Sequence, residues 1–137
     1  MTNPSIHSRA YIDRLRSKAS TKADVSGIPR WLEVNTSHPT QPDEAWSFKD
    51  HEYQIKIASD DAHSVATQKS AQTGVSELYA RWALALVNTW PACTAIYTLP
   101  TAAFTRSFSA SRLTPIIEGS EYISSQLHKD TDNSSLK

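Results

Sequence analysis

A short loop at residues 68–77 carries the residue types that bind phosphate. It reads Gln-Lys-Ser-Ala-Gln-Thr-Gly-Val-Ser-Glu, between a β-branched run at 64–67 and a helical pattern that begins at Leu78. A strand, a loop of small residues and a helix in this order direct successive backbone N–H groups into one concavity, and the helix start adds positive dipole. The sequence therefore contains a candidate phosphate-binding loop.

This loop departs from the Walker A pattern G-x-x-x-x-G-K-[ST]. With Gly74 and Ser76 placed on the final glycine and the hydroxyl residue, Val75 takes the lysine position and Ser70 the first glycine position. The lysine stands in front of the loop, as Lys69. Its four-carbon side chain could fold over the loop and bring a flexible point charge to the terminal phosphates, while the Ser76 hydroxyl would bind magnesium. The pattern alone leaves a simple strand–turn–helix with a polar turn open.

A second candidate pair, Tyr53-Gln54, lies in a helix that the sequence predicts from Ser47 to about Ser59. A glutamine amide can read a donor and an acceptor on adenine, and a tyrosine ring can stack on the face of the base. A core tyrosine beside a surface glutamine is the alternative that the residues themselves leave open.

Several motifs in the same order resemble the large terminase subunits of tailed phages. The run K-S-A-Q-x-G-x-S-E, with its lysine at the front, resembles the displaced Walker A of that family. Residues 46–54 resemble the segment W-x-F-x-x-x-x-Y-Q that precedes the loop, residues 96–102 its next strand and turn, and residues 112–117 the following helix. The resemblance extends from Trp31 to Lys137.

The resemblance implies a motor that uses ATP and Mg²⁺ to drive viral DNA into a capsid. It implies that Lys69 is catalytic and stabilises the developing charge, and that Tyr53 and Gln54 hold adenine. It assigns phosphate binding to the loop residues Ser70, Ala71, Gln72, Thr73, Gly74, Val75 and Ser76, with Ser76 also a metal ligand. The implied partners of the full-length protein are double-stranded viral DNA, the small terminase subunit, the portal protein and further copies of the same subunit.

The expected fold class is α/β. Strands at 65–68 and 94–99 around a helix at 78–89 predict a right-handed βαβ unit, part of a P-loop NTPase of the ASCE type with a three-layer parallel sheet and helices on both faces. We expect residues 1–45 to be a polar, partly disordered tail and linker, in which 1–26 is either mobile or a short basic helix. Residues 46–137 are expected to be the N-terminal portion of the ATPase domain.

The amino-acid composition excludes several classes of protein. Lys plus Arg and Asp plus Glu both number 14, so net charge supplies no general footprint for nucleic acid. The single cysteine excludes an internal disulfide, and no apolar run approaches the ~20 residues of a membrane helix. We therefore expect a soluble protein without a membrane partner, and the resemblance to phage terminases implies the cytoplasm of a bacterial host.

Some parts of a packaging ATPase are not found in the sequence. An aspartate that binds magnesium and a glutamate that orients water are expected after the second strand, and neither follows it before Lys137. The acidic cluster of a nuclease domain is missing as well. We therefore expect a fragment that is inactive alone. A helicase-like, nucleic-acid-dependent ATPase fragment and a non-catalytic prophage remnant or interaction module remain alternatives.

Overall fold

Helices dominate the computed structural model, which describes residues 24–41, 43–90 and 93–127. Most of the segment 1–26, for which a mobile tail or a short basic helix is expected, lies outside the described residues. In chain order the helices are α1 (Ile28–Asn35), α2 (Tyr53–Ala58), α3 (Val75–Thr89), α4 (Ala102–Phe108), a π-helical segment (Ser109–Leu113), α5 (Thr114–Glu118) and α6 (Glu121–Gln126).

The central element is α3, the longest helix of the described residues. Leu78 and Ala85 lie on its buried face, at helical spacing that places them on one side. The helix ends at Thr89, as the following Trp90-Pro91 pair predicts, because the residue before a proline disfavours the α region. The predicted C-terminus of this helix is confirmed, whereas its N-terminus lies three residues before the predicted one.

The core forms where α1 and α2 pack against α3. Each helix contributes a side chain that is at most 1% exposed: Leu32 from α1, Ala58 from α2 and Leu78 from α3. The Trp82 indole N–H donates to the Ala58 carbonyl at 3.0 Å, which fixes α2 to α3. Burial of apolar surface is the main stabilising term in such a packing, so the relative position of these helices is set by the core.

The expected three-layer parallel sheet is wrong for the part of the chain that the structure describes. No β-strand occurs among these residues, and their only bridge pairs Ser37 with Ala45 in antiparallel sense. The two predicted strands, 65–68 and 94–99, share no backbone hydrogen bond, and Val65 and Ile96 are 48% and 84% exposed. A strand needs a neighbour for its N–H and C=O groups, and neither segment has one in the described residues.

Two further expectations about local structure differ from the structure. The linker region contains α1, whose Ile28 and Leu32 are buried in the core. The helix predicted from Ser47 begins only at Tyr53, because the Ser47 hydroxyl accepts from the Lys49 N–H at 3.1 Å within a turn, and Asp50 adopts a left-handed φ of 64°. Short polar side chains that bond nearby amides favour such turns over a helix.

The C-terminal helices form a nearly continuous rod from 102 to 118, followed by α6. Thr101 caps α4 by accepting from the Phe104 N–H at 3.2 Å, a preferred N-cap arrangement. The Ser120 hydroxyl donates to the Asn35 carbonyl at 2.6 Å, which ties α6 to α1. Within residues 24–41, 43–90 and 93–127, no helix combines the length and apolarity required to cross a bilayer.

Candidate nucleotide-binding site

The loop from 69 to 74 leads directly into α3. Gln72 and Gly74 both have left-handed backbone conformations, with φ of 60° and 71°, and Gly74 is the N-cap of the helix. Within the described residues, none of the backbone N–H groups from Ala71 to Glu77 donates a hydrogen bond to another described residue. Unpaired amides at a helix start, together with the helix dipole, make a site that favours anions.

The candidate adenine residues contact this loop. The Tyr53 hydroxyl donates to the Thr73 carbonyl at 2.5 Å, and the Gln54 amide donates to the same oxygen at 2.9 Å. Gln54 is only 3% exposed, whereas Tyr53 is 48% exposed. The structure therefore brings Tyr53, Gln54 and the loop together, through a contact that the sequence does not reveal.

Gly74 lies unusually close to Gln54. A Cβ atom built on Gly74 would lie 2.9 Å from the Gln54 amide nitrogen, nearer than such contacts normally come. Glycine is required here by its positive φ as well, since L-residues rarely adopt that conformation. The glycine of the motif therefore serves both the turn and the approach of the loop to α2.

Lys69 and Ser76 are exposed at opposite ends of the loop. The Lys69 ammonium lies 3.5 Å from the carbonyl of Ser70, so the side chain stays beside the loop. The Ser76 carbonyl accepts from the Tyr97 hydroxyl at 3.2 Å. Ser76 is exposed, so its hydroxyl is accessible from solvent.

The remaining loop residues differ in exposure. Ser70, Ala71 and Gln72 are exposed, and Thr73 is half-buried. The Thr73 hydroxyl donates back to the Ser70 carbonyl at 3.3 Å, which closes the turn. Val75, which takes the usual lysine position, is 3% exposed, so its side chain packs inward and leaves the polar face of the loop to its neighbours.

A cavity of about 470 Å³ opens beside the loop. Its lining includes Gly74 at the helix start and the following side chains: Trp46, Lys49, His51, Gln54 and Glu77. An aromatic wall, a cation and a buried amide are groups that can surround a heterocyclic base. Of the candidate adenine pair, Gln54 reaches this cavity and Tyr53 does not line it.

Behind the cavity, Glu77 joins two arginines. It accepts from Arg81 at 2.9 and 3.2 Å and from Arg112 at 3.4 Å. Arg81 is fully buried beneath the Trp46 ring, with its guanidinium carbon 5.2 Å from the ring centroid. Burial lowers the pKa of Arg81 from its ordinary value, and its hydrogen bond and ion pair with Glu77 oppose that shift.

Glu77 and Arg81 stand at the i,i+4 spacing that brings two side chains together on one side of a helix and favours an ion pair. The structure buries Arg81 completely and Glu77 only partly, and Arg81 Nη1 has no hydrogen-bond partner among the described residues. Sequence reasoning missed the anchoring of Thr73. That contact joins residues 19 and 20 positions apart through a backbone carbonyl, and a carbonyl leaves no signal in a sequence motif.

Comparison with protein families gives one match that covers most of the chain. Residues 48–137 match the family described as phage terminase large subunit gpA, ATPase domain. Comparison with curated proteins and with solved structures gave no significant match. The matched range contains α2, the loop and α3, and thus every site residue that the sequence predicted, from Tyr53 to Ser76. The chain belongs to the family of phage terminase large subunit ATPase domains.

Proposed function

We propose that the loop 69–76 binds the triphosphate of ATP and that the chain provides a nucleotide site of the motor that packages viral DNA. Membership of an ATPase-domain family supports nucleotide use. The observation that carries the proposal is the set of unpaired N–H groups from Ala71 to Glu77 at the start of α3. Amides in this arrangement fit phosphate oxygens.

Each loop residue has a distinct role in this proposal. The backbone amides of residues 70–76 donate to phosphate oxygens, and the Lys69 ammonium neutralises charge near the terminal phosphates. The exposed Ser76 hydroxyl contributes one oxygen ligand to Mg²⁺, which ordinarily takes its other ligands from phosphates and water. ATP, when bound, supplies the phosphoryl group that is transferred to water.

The cavity beside Gln54 is the proposed place for adenine. Gln54 lines both the cavity and the contact with the loop, so the base and the phosphates would lie on adjacent parts of one surface. Trp46 offers an aromatic face on which a base can stack. Tyr53 does not line the cavity and its hydroxyl is engaged with Thr73, so a contact between Tyr53 and the base would have to be made by the Tyr53 ring at the edge of the site.

The wider role follows from the family. We propose that ATP use by the full protein serves packaging of double-stranded viral DNA, in the cytoplasm of the host, together with the small terminase subunit, the portal protein and other copies of this subunit. Arg112 is exposed but contacts Glu77, so it is not assigned to DNA.

The test is ATP binding to the 137-residue chain by calorimetry with Mg²⁺. We expect Lys69→Ala to weaken binding about tenfold, because it removes a charge-assisted contact with phosphate. Lys56→Ala is the matched control, since Lys56 is exposed at the end of α2. Ser76→Ala should weaken binding only when Mg²⁺ is present.

Two outcomes contradict the proposal. Affinity for ATP that is equal in the parent chain, Lys69→Ala and Lys56→Ala would place the nucleotide elsewhere. No measurable ATP binding by the parent chain at millimolar concentrations, with the fold intact by circular dichroism, would remove nucleotide binding from this chain.

A further inference from the structure

Two neighbouring side chains of α2 converge on a single peptide of the loop. The Tyr53 hydroxyl and the Gln54 amide both donate to the Thr73 carbonyl, at 2.5 and 2.9 Å. A carbonyl oxygen has two lone pairs, so both are occupied. Since Gln54 is buried and belongs to a helix that packs on α3, this anchor is fixed to the core of the protein.

Anchoring a carbonyl also fixes the amide that follows it. The described chain contains no cis peptide bond, and in a planar trans peptide the C=O and the next N–H point in opposite directions. The Thr73 carbonyl faces α2. The Gly74 N–H must therefore point away from α2, on the side where the loop amides are unpaired in the described structure.

We infer that Tyr53 and Gln54 are positioning residues that orient the Thr73–Gly74 peptide so that the Gly74 N–H faces the phosphates. The inference rests on the proposed phosphate site and adds a role distinct from contact with adenine. It explains why Gln54 is buried against the loop and why Gly74 leaves no room for a Cβ beside the Gln54 amide.

The Thr73–Gly74 peptide needs the hydrogen bonds from Tyr53 and Gln54 because the local backbone conformation would otherwise allow a peptide flip. The peptide flips through ψ of Thr73 and φ of Gly74. The φ of Gly74 is 71° here, and glycine accepts both signs of φ at little cost. A flip of the peptide would exchange the N–H for the carbonyl oxygen. The phosphates would then meet a partial negative charge in place of a donor.

The experiment uses a phosphate ligand that has no base. An adenine contact affects ATP alone, whereas peptide orientation affects inorganic tripolyphosphate as well. The chain contains three glycines, so selective ¹⁵N-glycine labelling gives a simple spectrum in which the Gly74 amide can be followed. Magnesium tripolyphosphate and magnesium ATP are titrated into the parent chain, Tyr53→Phe, Gln54→Met and the double variant.

We expect tripolyphosphate to shift the Gly74 signal of the parent chain. The double variant should bind tripolyphosphate about tenfold more weakly, as expected for loss of one oriented donor, and the shift of Gly74 should shrink. Tyr122→Phe is the matched control, because Tyr122 packs against the Trp31 ring at 5.9 Å, on a different helix from the anchor. Unchanged Gly27 and Gly119 signals in each variant report an intact fold, and Tyr53→Phe alone tests the idea if Gln54→Met does not fold.

Two results would overturn the inference, and they differ. If the variants bind tripolyphosphate as the parent does while ATP binding falls, Tyr53 and Gln54 serve only the base. If the parent chain shows no response of Gly74 to either ligand and Lys69→Ala changes nothing, the proposed phosphate site is itself wrong.

Discussion

Residues 25–89 contain most of the hydrophobic core, whereas residues 93–113 contain no buried side chain. In the first region, helices from three parts of the chain share one core, with Leu32 and Ala85 completely buried. In the second, no residue is buried, and Ile96 is 84% exposed although its segment has the composition of a central strand. Yet side chains from both regions bond near the start of α3. Tyr53 and Gln54 donate to Thr73 just before the helix, and Tyr97 and Arg112 donate to Ser76 and Glu77 in its first turn.

The difference reflects where each kind of element finds its hydrogen bonds. A helix satisfies its backbone within itself, so α4 can form although it has no buried residue. A strand depends on a neighbouring chain segment, and the segment 94–99 has none among the described residues. The candidate site is therefore anchored firmly from α2 and only lightly from the second region.

The largest effect should come from the core beneath the site. Leu78→Ala should lower the free energy of unfolding by about 3–4 kcal/mol, since it leaves a cavity at a fully packed position where Leu78 is 1% exposed. Ile96→Ala, its counterpart in the second region, should change it by less than about 0.5 kcal/mol. Urea denaturation measures both. Similar losses for the two variants would show that residues 93–113 are packed as tightly as the core.

Substitutions of the two arginines that bond to Glu77 should also differ in how much they lower the free energy of unfolding, by almost as much as the two apolar substitutions do. Arg81→Ala should cost about 3 kcal/mol, because it removes one partner of a buried pair and the packing beneath Trp46. Arg81→Met should recover much of that loss, since it fills the same space and ends the burial of an unpartnered Nη1.

Arg112→Ala provides the comparison for Arg81. The Arg112 side chain is 54% exposed, so its loss should cost about 0.5 kcal/mol or less. Equal midpoints of urea denaturation for Arg81→Ala and Arg112→Ala would contradict the predicted difference in stability.

A smaller effect is expected at the loop. Gly74→Ala should destabilise the chain by about 1–2 kcal/mol, because an L-residue is strained at positive φ and φ is 71° here. Gly27→Ala is the control, since Gly27 has a φ of −81° and a Cβ there would meet nothing within 4 Å. Thermal melts of the two variants should therefore separate, and a neutral Gly74→Ala would show that the loop relaxes without cost.

The smallest effect concerns the contact between Tyr97 and the Ser76 carbonyl. Burial raises the pKa of the Tyr97 hydroxyl above its ordinary value of 10.0, with a further contribution from nearby Tyr79. The folded state then keeps this proton longer than the unfolded state does, so the contribution of Tyr97 to stability is complete below pH 10 and is lost as pH rises through the folded pKa.

Tyr97→Phe should remove that alkaline loss. Absorbance titration at alkaline pH should also lose a component that titrates above the ordinary tyrosine range. A titration curve that keeps this component in Tyr97→Phe would assign it to another tyrosine and would weaken the link between residues 93–113 and the loop.

The sequence by itself determined α3, apart from its first three residues, and the family. Helix formation is indicated by patterns of residues that are near one another in the chain. In α3 these patterns are the apolar spacing of Leu78, Trp82 and Ala85 and the Trp90-Pro91 pair at which the helix ends. The order of motifs around Lys69 and Gly74 predicted a terminase, and the match of residues 48–137 to that family confirmed it.

Only the tertiary structure decided how the candidate site is held. The strand-like composition of 94–99 could not say whether a neighbour would pair with it, because pairing depends on residues distant in the chain. Nor could the sequence show that Tyr53 and Gln54 meet on the Thr73 carbonyl. A backbone oxygen is the same in every residue, so such a contact exists only once α2 and α3 have packed together.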